Sequence, residues 1–296
     1  MDMHMLQADA SQAKRWRALR EEMVTGKPGK RWRLLETEAK RQRRDDLHMI
    51  ERSGQGHVGG DMSVMDILAV LFGYVMDIDP EDPNRPDRDR FVLSKGHTAG
   101  ALYSVLANCG FFAPAELETF LEPMSALNGH PNRLKVPGVE ANTGPLGHGL
   151  PIAVGMAHAA RLQGYDYRVF VVLGDGELQE GSNWEAFMHA PHFGLERLFA
   201  VIDRNGLQQG ARTEDTTQMD SLEEKLAAFG WEVRSADGHD YDELINAFRP
   251  SERNLPVAVV ANTVKGKGIS YMEDNVVWHH KVPSSQEYEE ALEELA

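Results

Sequence analysis

A doubly wound α/β fold, with a mostly parallel sheet and helices on both of its faces, is predicted by three features of this 296-residue chain. Short apolar, β-branched runs recur between segments of helix length. Two of those runs, 168–173 and 198–202, each end in a polar turn. A helix-length stretch, 183–193, lies between them. Strands covered on both faces read as continuous apolar runs, and strand, helix, strand in that order makes a βαβ unit with parallel strands and a right-handed crossover.

The first 30 residues differ in composition from the rest and are set apart as an N-terminal extension, 1–30, ahead of one domain, 31–296. In the extension, SQAKRWRALREEM suits a short helix and TGKPGK a turn or linker. The segment is expected to be either an arm that packs on a partner or a mobile extension. A charged helical pattern covers 34–52, and its KRQRR segment at 40–44 is expected to be a solvated helix face that continues into DDLHMIER. A helix follows at 62–76, a strand at 91–94, helices at 99–109 and 114–121, and a helix at 149–163 that leaves a Gly- and Pro-punctuated loop. The βαβ unit then supplies strands 168–173 and 198–203 around helix 183–193. Helices at 220–229, 240–248 and 285–295 and strands at 231–235 and 256–262 complete the alternation. Sites in such sheets lie at the carboxyl ends of the strands.

Composition narrows the function. The length suffices for one large α/β core, and the apolar fraction is that of an ordinary soluble protein. No run approaches the roughly 20 apolar residues of a membrane span, and the charged N-terminus lacks a signal-peptide apolar region. A cytoplasmic location and no membrane partner are therefore expected. Cys109 is the only cysteine, so no intrachain disulfide or thiolate metal cluster can form. A net charge of −15 repels a phosphate backbone over most of the surface, and no nucleic-acid partner is expected.

The polar turns carry the chemistry. Asp175, between Gly174 and Gly176, follows the strand at 168–173; Asn205 follows the strand at 198–203. A carboxylate and an amide oxygen at the ends of two neighbouring parallel strands, with the Leu207 carbonyl just beyond, offer three oxygen ligands to a hard divalent cation. Diphosphate oxygens and water complete the octahedron that Mg²⁺ prefers. The flanking glycines let the chain turn sharply and a phosphate approach closely. Both residue types also favour simple turns at strand exits.

At these residues the chain resembles the thiamine-diphosphate enzymes and, among them, the transketolases. Further motifs occur in transketolase order: SGQGHVGG at 53–60, DRFVLSKGHTAGALYSVL at 89–106, NGHP at 128–131, TGPLGHGL at 143–150, GWEVRSADGHD at 230–240, TVKGKG at 263–268 and WHHKVP at 278–283. The resemblance runs from about Arg41 to Val282. It implies a thiamine-diphosphate-binding fold, with thiamine diphosphate and Mg²⁺, or Ca²⁺ or Mn²⁺ in its place, as cofactors. It implies a metal set of Asp175, Asn205 and Leu207, and cofactor contacts from Lys95, His97, Gly144, Leu146, Gly176, Asn205, Lys265 and His279. The lysines' ammonium groups would offset diphosphate charge left over by the metal, and the backbone of Gly144 to Gly147 would pass against the cofactor rings.

The same resemblance matches His57, His97, His130 and His279 to histidines that face the cofactor or the sugar's oxygens, where imidazoles can shuttle protons. A lone histidine is more often structural. His189 and His192 have helical spacing for a metal pair without an evident third ligand, and are read as structural. Glu180 and Glu185 suit a helix start, and the family places the matching acids at the subunit interface. Two departures stand out: His148 replaces a common glutamine, and Gly-Gln-Gly with Gly60 alters the surroundings of His57.

The family's catalytic glutamate, which contacts the aminopyrimidine, belongs to a second, pyrimidine-binding domain with no counterpart in this sequence. The resemblance therefore implies the N-terminal subunit of a two-subunit transketolase. It would transfer a two-carbon ketol unit from a ketose to an aldose once joined by a C-terminal subunit, in an α2β2 assembly. Whether the sugar is phosphorylated, sulfonated or neither stays open, since most contacts to its terminus come from the second domain. Two alternatives also stay open: membership of another thiamine-diphosphate lyase or 2-oxoacid enzyme as one of its subunits, and a non-catalytic, cofactor-holding role.

Overall fold

The structure, a computed structural model, describes residues 5–296. Five strands, β1 (Arg90–Leu93), β2 (Val169–Gly174), β3 (Leu198–Arg204), β4 (Glu232–Asp237) and β5 (Val257–Asn262), form one parallel sheet in the order β1, β2, β3, β5, β4. The helices are α1 (Ala10–Thr25), α2 (Pro28–Ser53), α3 (Val58–Val70), α4 (Ala99–Cys109), α5 (Gly149–Gln163), α6 (Gly181–His192), α7 (Thr213–Thr216), α8 (Leu222–Ala228), α9 (Tyr241–Ala247) and α10 (Ser285–Glu294).

Strand alternation divides the core. Phe170 and Val172 of β2, Phe199 and Val201 of β3, and Val257 and Val259 of β5 pack into one cluster with α1 to α4 and α9. Val171 and Leu173, Ala200 and Ile202, and Ala258 and Val260 pack on the other side with α5, α6 and α8. Both faces of the central strands are therefore dry, which is why these strands read as unbroken apolar runs. The expected doubly wound sheet is the one observed, and the predicted strands fall within a residue or two of their observed ends.

Three local expectations are corrected. Helix α1 begins at an Asp9 cap that accepts hydrogen bonds from Ser11 and Gln12 N–H, and it buries Ala13, Trp16 and Met23 in the core beside α2 and α4. Residues 10–25 thus pack on their own chain, and TGKPGK contains only a short break, because Pro28 already starts α2. The KRQRR segment is not wholly solvated: Arg43 is buried, and its guanidinium donates to both Asp66 oxygens, at 3.0 and 2.6 Å. Residues 114–119 form a 3₁₀ turn opened by Pro114 instead of an α-helix. In addition, Val58–Val75 has the length and apolarity of a membrane span, yet it is mostly buried, as the central helix of a packed core would be.

A buried acid pair lies among α2, α3 and α4. Neither oxygen of Asp46 has a hydrogen-bond partner, while Asp61 Oδ1 accepts from Ala101 N at 3.2 Å. Burial, reinforced by the charge of Asp61, pushes the Asp46 carboxyl well above its usual range, and burial pushes Asp61 up to about 7. Groups with raised folded-state values bind more protons folded than unfolded. Their cost is absent in acid, grows as pH climbs from the unfolded value near 4, and levels off above the folded values. Asp46→Asn keeps the shape and removes one charge. It is expected to raise the melting temperature by a few degrees at about pH 8 and by much less at about pH 4.5. A lower melting temperature at the higher pH would contradict this.

Candidate active site

Loops from the carboxyl ends of β1, β2, β3 and β5 converge on one cavity of about 420 Å³. This follows from the strand order. β2 and β3 are neighbours with Gly174 opposite Asp203, so Asp175 and Asn205 leave the sheet side by side. β1 lies on one flank and delivers Ser94 to His97; β5 lies on the other and delivers Thr263 to Lys265. His57, Lys95, His97, Gly144, Leu146, Asp175, Gly176, Glu180, Asn205, Leu207, Lys265 and His279 all line the cavity. Glu185 does not; it lies exposed on α6.

The oxygen set is organised by its own backbone. Asp175 Oδ1 accepts from Gly176 N at 2.9 Å, and Oδ2 accepts from Gly206 N at 2.8 Å and Thr213 Oγ1 at 3.1 Å. These bonds tie the turn after β2 to the turn after β3. Asn205 Oδ1 accepts from Leu207 N at 3.1 Å, and the Leu207 carbonyl accepts from Lys265 Nζ at 3.1 Å. Burial, then the charge of Asp203, raises the Asp175 carboxyl, so a cation beside it would relieve both. Among the described residues no three His, Cys, Asp or Glu side chains gather to hold a metal. One carboxylate with amide and carbonyl oxygens is a donor set that suits Mg²⁺, which takes few protein ligands and shares substrate phosphates. The residues present therefore fit a metal-bound diphosphate.

Both lysines are buried in the cavity wall, at 1 % and 2 % exposure, too little for surface lysines. Lys95 forms an ion pair with Asp203 and donates to Gly60 O at 3.3 Å. Asp203 also accepts from Ser63 Oγ at 2.7 Å and from the Thr263 hydroxyl. A fully buried pair with its remaining lone pairs satisfied in this way holds the ammonium in one place. Lys265 Nζ lies 2.8 Å from His279 Nδ1. Burial, then the charge of Lys95, lowers Lys265 to about 8. An anion placed between two such ammonium groups would be strongly favoured.

Four imidazoles form the adjoining wall. Ring centroids lie 5.2 Å apart for His57 and His97, 5.6 Å for His57 and His279, and 5.7 Å for His97 and His279. Burial and the neighbouring cationic groups lower His57 to about 4, His279 to about 3 and His97 well below its usual value. These rings are therefore neutral near pH 7, each with one donor and one acceptor nitrogen. The fourth ring is His280, 4.6 Å from His57. His130 lies behind Gly144. At φ +155°, a Cβ on that glycine would sit 3.0 Å from the His130 ring, so only glycine lets this backbone pass the imidazole. The Tyr103 hydroxyl shares its one proton between Asn128 O at 2.9 Å and His130 O at 3.1 Å, which fixes the NGHP loop.

Several residues of the site escape a reading of the sequence. Asp203 is a charge inside an apolar strand, and such a charge needs a buried partner; that signal is present in the sequence. Glu177, buried just past the turn, accepts from the Ser94 hydroxyl, Gly147 N at 3.0 Å and Gly174 N at 3.1 Å, joining three of the loops. Asp66, in the apolar α3, accepts from His239 Nδ1 at 2.7 Å and the Tyr241 hydroxyl at 2.8 Å; His239 Nε2 accepts from Val264 N at 2.9 Å. That chain ties Val264, the residue next to Lys265, to α3. Nothing in local spacing links residues so far apart.

Residues 36–292 match the family model described as "Transketolase, thiamine diphosphate binding domain". One of the subunits of the apulose-4-phosphate transketolase of Phocaeicola vulgatus is 41% identical over 264 residues, covering 88% of this chain and 94% of that protein. The 6-deoxy-6-sulfo-D-fructose transketolase subunit SqwG of a Clostridium species is 39% identical, covering 84% of this chain and 91% of that protein. In a crystal structure of transketolase from Campylobacter jejuni, the matching part superposes with a TM-score of 0.83 at 29% identity, covering 88% of this chain and 42% of that one. The chain belongs to the transketolase family, in which it matches the thiamine diphosphate-binding domain and, almost end to end, the corresponding subunits of members built from separate chains.

Proposed function

We propose that this chain holds thiamine diphosphate through a Mg²⁺ ion and, with a partner subunit, transfers a two-carbon ketol unit from a ketose to an aldose. The convergence of Asp175, Asn205 and Leu207 with two buried lysines and a histidine wall in one cavity carries the reading. Thiamine diphosphate, when bound, supplies the carbon nucleophile that such a transfer needs. Asp175, Asn205 and the Leu207 carbonyl would hold the metal, and Lys95 and Lys265 would offset the remaining diphosphate charge. His57, His97, His130 and His279 would exchange protons with the sugar's hydroxyl and carbonyl oxygens as its carbon–carbon bond breaks and forms; neutral rings can do so in either direction.

The partner is assigned on two grounds: relatives covered almost end to end are named as subunits, and Leu146 and His280 leave one side of the cavity exposed. Exposed Glu180 and Glu185, with Met188 on the same helix as Glu185 at 59 % exposure, give α6 a surface suited to a contact between protomers in an α2β2 assembly. The relatives' names point to a sugar with a terminal phosphate or sulfonate. A cytoplasmic setting belongs to the same proposal and accords with the single, buried cysteine.

His57→Ala or His97→Ala is expected to leave the cofactor bound and to lower turnover by about 100-fold or more, the usual contribution of a positioned proton donor. Steady-state ketol transfer by the reconstituted complex, beside cofactor titrations, measures both. Turnover within a few-fold of the parent for both variants would remove these rings from the chemistry.

A further inference from the structure

We propose that His280 is a specificity residue that binds a hydroxyl group of the sugar, next to His57 at the rim of the cavity. The inference rests on the ketol-transfer reading above. His280 follows a 3₁₀ turn, Val276–His279, that is held on both sides. The Asn275 side chain accepts from Val277 N at 3.1 Å, Trp278 is buried, and Lys281 lies over the Trp278 ring at 3.9 Å while pairing with Glu287 at 2.8 Å. Between these anchors His280 is exposed, and its ring nitrogens have no hydrogen-bond partner among the described residues, yet its ring lies 4.6 Å from that of His57 at 78°. It is the outermost imidazole of the wall, and its position is set by the backbone on either side.

An imidazole carries two ring nitrogens able to hydrogen-bond a hydroxyl group. Two such rings edge to face can share a hydroxyl, or take one each from neighbouring carbons of a sugar chain. An anionic sugar terminus is a poorer match. It calls for an ammonium or guanidinium group, and the adjacent cation, Lys281, is already occupied by Trp278 and Glu287. Inner positions of the wall, His97 and His279, lie against the lysines that face the diphosphate; His280 lies on the side open to an entering aldehyde.

The test uses the complex with its partner subunit, hydroxypyruvate as donor, and three acceptors: D-glyceraldehyde, its phosphate ester, and propanal, which has the same carbon skeleton without hydroxyls. For His280→Ala, KM for D-glyceraldehyde and for its phosphate ester should each rise about 5-fold to 10-fold, the loss of one neutral hydrogen bond. Turnover should change less than about twofold, and kcat/KM for propanal should be unchanged. His280→Gln, which restores a donor and an acceptor, should recover most of the loss. Thiamine diphosphate affinity and melting temperature should not move, since the side chain is exposed. Unchanged KM for D-glyceraldehyde, an equal loss with all three acceptors, or a loss confined to the phosphate ester would each overturn the assignment. A parent complex that transfers no ketol unit would overturn the functional reading itself, whereas an active parent with flat His280 variants would overturn only this inference.

Discussion

Asp175→Ala is expected to abolish measurable Mg²⁺-dependent binding of thiamine diphosphate while leaving a folded protein. The carboxylate is the only ionic member of the proposed metal set, so its removal leaves the cation with an amide and a carbonyl. A loss of at least about 100-fold in affinity, roughly 3 kcal/mol, follows if it carries the metal. The fold loses less. Gly176 N, Gly206 N and the Thr213 hydroxyl give up an acceptor, which costs on the order of 1–3 kcal/mol. Against that, the repulsion between Asp175 and buried Asp203 disappears. Asp175→Asn separates the two effects, because its amide oxygen still accepts from Gly206 N and the Thr213 hydroxyl without the charge, losing only the Gly176 N bond; it should bind the cofactor nearly as poorly and melt closer to the parent. Titration calorimetry with and without Mg²⁺ checks this, and a folded Asp175→Ala protein with unchanged affinity would end the metal assignment.

The fold is most legible in the sequence where local chemistry and tertiary position coincide. Strands such as Val169–Gly174 and Val257–Asn262 are apolar because both of their faces are covered, so the pattern announces the layer order as well as the strand. Asp175 and Asn205 are legible because each follows a strand at once, and parallel pairing then places them together. Long-range partners are not legible. Ser63 meets Asp203 across 140 residues of chain, and His239 meets Asp66 across 173; only the packing of α3 over the sheet end brings them into reach. Helix α1 is hard to place from sequence because its apolar residues are few and widely spaced, yet Trp16 and Met23 suffice to seat it. The 3₁₀ turn at 114–119 reads as an α-helix since its residue types favour both. His280 stands beside His279 with no sequence signal of its own, and only the ring geometry distinguishes it from a solvated neighbour.

The cofactor's two ends make different demands. The diphosphate end would find oxygens for a cation and two buried ammonium groups in this chain, all on loops that the sheet itself positions. In the proposed reading the ring end would lie against Gly144 and Leu146, and Leu146 is 37 % exposed. The buried acids of the site, Asp175, Glu177 and Asp203, are engaged at the strand ends, and the remaining cavity acid, Glu180, is exposed at the rim beside Gly147. In the proposed reading the partner subunit supplies the enclosure of the rings and the carboxylate that contacts the aminopyrimidine, since composite sites of this kind form between subunits. The most direct measurement is ketol transfer, with oligomeric mass read in parallel, by the purified chain alone and after the partner subunit is added, at saturating Mg²⁺ and thiamine diphosphate. The account predicts cofactor binding without turnover for the chain alone, and turnover together with an α2β2 mass once the partner is present. Full turnover by the isolated chain would contradict it.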